Sequence, residues 1–236
     1  MKAFIIGDIH GEFEKLMSLT ADIPSDTLIY SVGDLIDRGP DSRKVIDYIR
    51  CNNIQAVKGN HECMAIACLP ALLEYVYNPD EFSLCELYDS DWFYNGGHDI
   101  FNQYKATDDL EQLITDIKYL DTLPFYIETG ILDSHGRELL ISHTWSSYKN
   151  LPVASTHNTF VWDRDQPSSL TNLSRYYNVF GHTPVDYVLG RRAKIPPEPI
   201  FFHDIGANID LGAPYTSPTR GKLGGIFFPS LEYKTA

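Results

Sequence analysis

The 236-residue chain reads as an α/β protein, a two-sheet β-sandwich flanked by helices and carrying a helical insert. Three observations predict this. The first sixty residues alternate apolar, strand-like runs with helical segments, the grammar of a parallel sheet with crossover helices. From about Glu62 to Leu120 the pattern is mostly helical. After Leu123 short strand-like runs return, and these predict a second sheet packed on the first. With 43% hydrophobic residues the chain can fill one sizeable core, so a single domain over residues 1–236 is expected, with the insert at about 62–120.

Each element has its own signal. Ala3 to Ile6, Leu28 to Val32 and Ile54 to Val57 are apolar runs of strand length. Between them Glu12 to Thr20 and Asp41 to Cys51 predict helices, with Leu16 and Leu19 on one inner face and Val45, Ile46 and Ile49 on the other. Asp41, just after Pro40, suits a first helical turn. In the insert, Met64 to Tyr77 is an apolar helical run bounded by Asn78-Pro79, and Asn95-Gly96-Gly97 marks a turn. Thr107-Asp108-Asp109 then opens a helix whose inner face is Leu110, Leu113, Ile114 and Ile117. Phe125 to Glu128 and Leu139 to Ser142 flank the turn-rich Asp133-Ser134-His135-Gly136, a hairpin signal. Asn178 to Phe180, Val185 to Leu189, Ile200 to Ile205 and Gly225 to Phe228 predict further strands, and the proline-rich Arg191 to Pro199 a loop.

The formal net charge of −13 argues against broad binding to nucleic acid or to an anionic membrane. It does not exclude an anionic substrate, because bound metals create a local positive site on an acidic protein. No apolar run is long enough to span a bilayer. The first strand starts almost at Met1 and leaves no room for a signal peptide, so a cytoplasmic protein is expected. Cys51, Cys63, Cys68 and Cys85 form no CxxC pair and are expected to be small buried thiols in a reduced compartment.

Three motifs carry the chemistry: Gly7-Asp8-Ile9-His10-Gly11, Gly33-Asp34-Leu35-Ile36-Asp37-Arg38-Gly39 and Gly59-Asn60-His61-Glu62. Each follows a predicted strand, so each sets metal-type ligands at a strand's carboxyl end, where open α/β sheets put their crevices. Asp8 and His10, two residues apart, share a face. Asp34 and Asn60 end neighbouring strands. Adjacent strands lie roughly 5 Å apart, so their tips can converge on metals about 4 Å apart. His143 and His182 also follow apolar strands. This mix of carboxylate, imidazole and amide suits manganese, iron or zinc better than calcium. One such motif reads as a turn whose aspartate caps a helix; three in order predict a two-metal phosphoester hydrolase.

The motifs GDxHG, GDxxDRG and GNHE, His143 after its strand, and Gly181-His182-Thr183-Pro184 resemble the PPP-type metallophosphatases, within them the small bacterial and phage protein phosphatases. Asn95-Gly96-Gly97, Trp162-Asp163-Arg164 and Asp204-Ile205-Gly206-Ala207 echo the same subgroup. The resemblance runs from Gly7 to about Ala207 and implies the calcineurin-like metallophosphoesterase fold, α-β-β-α. It implies two divalent metal ions, usually manganese: Asp8, His10 and Asp34 around one, and Asp34, Asn60, His143 and His182 around the other. It implies His61 as general acid paired with Asp37, and Arg38 and Arg164 on the phosphoryl oxygens. Lys58 and Asn60 are expected beside the phosphate. Lys58 stands where the family usually has arginine; it keeps the charge but not the bidentate fork, so an altered KM is expected rather than a dead enzyme.

The expected activity is phosphomonoester hydrolysis, on phosphoserine and phosphothreonine in proteins and on small aryl phosphates, by a protein expected to be monomeric. A hydrolase of diadenosine tetraphosphate is the rival from the same superfamily. A non-catalytic binding scaffold is the rival from another class; the presence of all six proposed ligands, His61 and Asp37 counts against it. Glu62 is expected to orient backbone or a ligand. His98, His135 and His157 are expected to be structural or solvated, His203 to stand behind the ligands, and Arg191-Arg192 to be a solvated pair. Most tyrosines of the insert are expected to be half-buried with a wet hydroxyl.

Overall fold

The first strand, β1 (Lys2–Ile6), alternates between two cores: Phe4 and Ile6 pack against helices, while Ala3 and Ile5 pack against a second sheet. That is the period of a strand buried on both faces. The computed structural model describes residues 1–78, 80, 85–145, 158–167, 175–190, 197–202, 205–217 and 220–236. Along the chain β1 is followed by α1 (Phe13–Thr20), β2 (Thr27–Ser31), α2 (Ser42–Cys51) and β3 (Gln55–Ala56). The insert holds α3 (Asn60–Ala67), α4 (Leu69–Tyr77), α5 (Cys85–Tyr88), a π-helical turn (Phe93–Gly97), α6 (His98–Lys105) and α7 (Leu110–Asp121). Then come β4 (Tyr126–Leu132), β5 (Glu138–Ser142), α8 (Asn158–Val161), β6 (Tyr176–Phe180), α9 (Val185–Val188), β7 (Ile200–Phe202), β8 (Gly206–Asn208), β9 (Gly224–Phe228) and β10 (Tyr233–Thr235).

The strands form two sheets, ordered β10-β9-β1-β2-β3 and β4-β5-β6-β8-β7. β1, β2 and β3 are parallel, as are β5, β6 and β8. One core lies between the sheets, built from Ile5, Val32, Ile141, Val179, Ile209 and Ile226 among others. The other lies between the first sheet and the helices, where Leu16 and Leu19 of α1, Val45, Ile46 and Ile49 of α2 and Leu113 and Ile117 of α7 meet Phe4 and Ile6. A small third cluster of Trp145, Phe180 and Ile205 is joined by Phe202.

Several expectations are corrected. Val185 to Leu189, expected as a strand, holds the helix α9 (Val185–Val188) with Leu189 as its C-cap: a run of five residues is too short for its period to separate the two states. Met64 to Tyr77 is not one helix. Pro70 sits in the first turn of α4, and its missing N–H cannot extend the ladder from α3. β3 keeps only two of its four expected residues. Asn95-Gly96-Gly97 falls in the π-helical turn, with Gly96 at φ 110°. Cys51 and Cys85 are exposed, while Cys63 and Cys68 are half-buried. The chain beyond Gly221, to which the sequence assigned little, closes the first sheet: β9 runs antiparallel to β1 and β10 to β9. Pro79, His157, Arg191, Arg192, His203 and Asp204 lie outside the described residues. Among the described residues no helix is long and apolar enough to cross a membrane.

Candidate metal centre and active site

The loops after β1 and β2 are zipped together at the carboxyl edge of the first sheet. The backbone N–H groups of Ile9 and His10 donate to the Asp34 carbonyl at 3.0 and 2.8 Å, and that of Gly11 to the Leu35 carbonyl. In the second sheet the Gly181 N–H bonds the His143 carbonyl at 3.0 Å. These bonds join the ends of β1 and β2 in one sheet and of β5 and β6 in the other, and the bonds of His143 Nδ1 to the Val32 carbonyl and of the His182 N–H to Asp8 bring the two edges together. The turns require unusual backbone: His10, Asp34, Asp37, Arg38 and His182 all have φ between 47° and 72°. Non-glycine residues adopt that left-handed region at a cost of order 1 kcal/mol each, so the surrounding bonds must hold them there. Glu62 does much of this holding. Its carboxylate accepts the backbone N–H groups of Asp34, Leu35 and Gly59 at 2.8–2.9 Å. Two glycines make room: a Cβ at Gly181 would overlap Asp8 Oδ1, and one at Gly59 would overlap Asp34 Oδ1.

Two clusters of ligand-type atoms result, Asp34 with His143 and His182, and Asp34 with His10 and His61. Within each the atoms lie within 4.8 Å of one another, and Asp34 is common to both. Asp34 Oδ2 is 3.4 Å from His10 Nε2, and Oδ1 is 3.4 Å from His143 Nε2. Asn60 Oδ1 lies 3.0 Å from His143 Nε2 and 2.9 Å from His182 Nδ1. Asp8 belongs to neither cluster. Its carboxylate accepts the backbone N–H of His182 at 3.0 Å.

The donor set fits a metal. His143 Nδ1 donates to the Val32 carbonyl at 2.8 Å, and His10 Nδ1 to the Ile36 carbonyl at 3.0 Å. In the neutral rings each Nε2 therefore carries a lone pair, which at His10 accepts from Arg38 Nη1. The His143 lone pair faces the acceptor oxygens of Asn60 and Asp34 with no donor between them, which a cation resolves. The protonation states agree. Burial pushes His10 and His143 below the usual imidazole range, and burial together with His143 lowers His182 to about 3. Neutral imidazole is the form that binds metal. For Asp34 burial acts upward, but the positive groups around it, His61 and Arg38 among them, outweigh it and keep the carboxylate ionised.

His61 behaves oppositely. Burial acts to lower it, but the charge of Asp34 and the hydrogen bond and charge of Asp37 prevail and raise it. Its Nδ1 donates to Asp37 Oδ2 at 2.7 Å. Its Nε2 is buried with no hydrogen-bond partner among the described residues. Arg38 Nη1 donates to His10 Nε2 at 2.8 Å, and Arg164 Nη1 reaches Thr183 Oγ1 at 3.4 Å. Both arginines line one cavity of about 350 Å³ together with His10 and His182.

Lys58 is not brought to the site. Its Nζ pairs with Asp121 at 2.8 Å, at the end of α7, and sits 5.1 Å over the Phe125 ring. The expectation that it lies beside the phosphate is corrected: the strand tip turns its side chain toward α7. His98 and His135 are exposed and pair with Asp99 and Asp133. Two buried residues were missed. Asp210 follows β8 and lines the cavity; burial, and the Asp34 charge against an opposing Gly212 N–H bond, raise it to about 6. Its signal in the sequence is a carboxylate after the apolar Ile209 and two residues before Gly212. Trp92 donates its Nε1–H to both oxygens of Asp37, at 3.0 and 3.2 Å. No sequence signal links residues 55 positions apart in this way.

Relatives give the arrangement its place. A stretch of 66 residues is 47% identical to serine/threonine-protein phosphatase 1 of Salmonella typhimurium, covering 27% of this chain and 31% of that protein. A stretch of 72 residues is 35% identical to the symmetrical bis(5'-nucleosyl)-tetraphosphatase of Klebsiella pneumoniae, covering 28% of this chain and 26% of that protein. The matched stretch thus spans under a third of either relative. In fold, the whole chain superposes on a metallophosphoesterase from Sphaerobacter thermophilus, with a TM-score of 0.55 at 17% identity over 87% of that chain. A cold-active protein-tyrosine phosphatase from a Shewanella species gives 0.58 at 14% identity, over 99% of this chain and 80% of that one. The profile of the calcineurin-like phosphoesterase family matches residues 1–194, and the chain belongs to that family.

Proposed function

We propose that the protein is a two-metal phosphomonoesterase that hydrolyses phosphoserine and phosphothreonine in proteins. The observation that carries this reading is His61: its Nδ1 is fixed by Asp37, and its buried Nε2 has no partner among the described residues. A buried polar atom without a partner is costly, so the atom is kept for a group that arrives.

In this reading Asp8, His10 and Asp34 hold one divalent cation, and Asp34, Asn60, His143 and His182 hold the other. The pair, manganese by preference, supplies a hydroxide at neutral pH and neutralises phosphoryl charge when bound. Arg38 and Arg164 orient the phosphoryl oxygens from the cavity wall, where guanidinium forks match them two at a time. His61 Nε2 gives its proton to the leaving alkoxide, and Asp37 steadies the imidazolium before that transfer. Both guanidinium groups line the cavity wall, so negative charge that develops on the phosphoryl group meets fixed positive groups rather than mobile water.

A second reading, hydrolysis of a dinucleoside tetraphosphate, is supported by the far end of the cavity. There Arg220 stacks on Tyr215 at 4.8 Å and bonds Asp186 at 2.6 Å through Nε. A flat, cationic wall suits a base or a second phosphate. Turnover of a phosphoserine peptide and of diadenosine tetraphosphate, each with manganese, zinc and iron, separates the readings. A higher kcat/KM on the peptide is expected; a clear preference for the dinucleotide replaces the first reading by the second.

A further inference from the structure

Asp37 is fully buried, and the described structure gives its carboxylate two side-chain donors: His61 Nδ1 at 2.7 Å and Trp92 Nε1, which reaches both oxygens at 3.0 and 3.2 Å. Trp92 comes from the helical insert, just ahead of the π-helical turn, and is itself fully buried. The turn is shaped around this contact. Gly97 lies so close to the indole that a Cβ there would sit 2.5 Å from its Cδ1 and Nε1. Gly96, at φ 110°, lays its backbone against Arg38, where a Cβ would stand 3.0 Å from Arg38 Cγ. One short segment therefore bears on two consecutive residues, Asp37 and Arg38, both in the left-handed region at φ 72° and 67°.

We propose that Trp92 is a positioning residue for the proton donor: its indole N–H fixes the Asp37 carboxylate so that His61 presents Nε2 to the leaving oxygen. The inference rests on the reading of His61 as the acid. Two oxygens shared by one N–H cannot rotate about the Cβ–Cγ bond without losing it, so Oδ2 stays turned toward His61. Without the indole N–H the carboxylate has one donor left and is free to swing, and the imidazole swings with it. A tryptophan that only filled the core would act on every substrate alike. A positioning tryptophan acts in proportion to the need for a proton. Alkyl phosphates leave as strongly basic alkoxides and need it; 2,4-dinitrophenyl phosphate leaves as a stable anion and does not.

The test compares kcat and KM for those two substrate types in the wild-type protein, Trp92→Phe and His61→Asn, all with manganese. In Trp92→Phe we expect kcat on the alkyl phosphate to fall about 10- to 100-fold, a partial loss set against the roughly 100- to 10,000-fold that general acid catalysis contributes. We expect kcat on 2,4-dinitrophenyl phosphate to change less than about 3-fold, and KM to hold for both, since binding does not use this proton. Equal losses on both substrates in Trp92→Phe, with the selective loss retained in His61→Asn, overturn the role of Trp92 alone. Equal losses in His61→Asn overturn the acid assignment itself. Because Phe leaves a gap in a packed site, 3-benzothienylalanine at position 92 serves as a second variant. It keeps the ring shape and replaces N–H by sulfur, and it must show the same selective loss; wild-type rates with it also overturn the proposal.

Discussion

His143 Nε2 and Asn60 Oδ1 lie 3.0 Å apart, two acceptors, one just past β5 and one at the start of α3, facing each other while His143 Nδ1 is committed to the Val32 carbonyl. Such a contact is unfavourable without a cation between the two atoms. Addition of manganese or zinc is therefore expected to raise the Tm of the protein, and Asp34→Asn, which removes the carboxylate shared by both clusters, is expected to abolish that rise and lower kcat by at least about 100-fold. Calorimetric titration with metal reads the binding directly. A variant that still takes up two equivalents with wild-type affinity would remove Asp34 from the centre.

Glu62 is a clamp rather than a chemical group. Burial, and behind it the Asp34 charge, raise it to about 7, yet it accepts three backbone N–H bonds. Glu62→Ala leaves three buried donors without partners, each costing about 1–3 kcal/mol, so unfolding in urea is expected to show a loss of roughly 3 kcal/mol or more. Glu62→Gln, which keeps one acceptor oxygen, is expected to fall between.

Gly181 lies against Asp8 Oδ1 in a space that only a residue without Cβ fits. Gly181→Ala places a methyl group against Asp8 Oδ1. Steady-state assays are expected to show at least about a 10-fold loss of kcat/KM, because an ångström of displacement at a reacting centre costs that much or more. An equal loss of stability and of activity on all metals would mark the effect as packing alone.

Asp210 gives a pH dependence with a definite sign. Its folded pKa of about 6 stands above the ordinary aspartate value. The metal-free folded protein therefore holds this proton more tightly than the unfolded chain. The corresponding stability is present below about pH 4 and is lost as pH rises through 6. The loss amounts to roughly 2–3 kcal/mol above pH 7. In chelator, Asp210→Asn is expected to melt above the wild type at pH 8 and level with it at about pH 3.5. A Tm difference that does not vary with pH would show that Asp210 is not the group responsible.

Lys58→Arg is expected to leave KM and phosphate inhibition within about 2-fold of wild type, because the ammonium is spent on Asp121 and the Phe125 face. Lys58→Met is expected to cost about 1 kcal/mol of stability, measured by thermal melting, through loss of that half-buried pair.

Much of this molecule is written locally. The ends of β1, β2, β5 and β6 were legible because an apolar run that ends in a ligand-type polar residue, with a glycine just before it at β1, β2 and β6, is a statement about neighbouring residues only. So Asp8, His10, Asp34, Asn60, His143 and His182 could be named from the chain, and so could the helices whose apolar face repeats over ten residues or more. Val185 to Val188 was not legible, since four residues fit either period. The direction of a side chain was not legible either. Lys58 lies next to Gly59 in the motif yet turns to α7, where Asp121 offers a charge. Sequence determined which groups sit at strand ends, because hydrophobic period and turn chemistry are properties of short segments. Tertiary structure alone decided which distant groups touch: Trp92 with Asp37, Glu62 with the backbone N–H groups of Asp34 and Leu35, Asp210 within the cavity. Those contacts arise from packing two sheets and an insert together, and no local rule encodes the distance between residues that the chain keeps far apart.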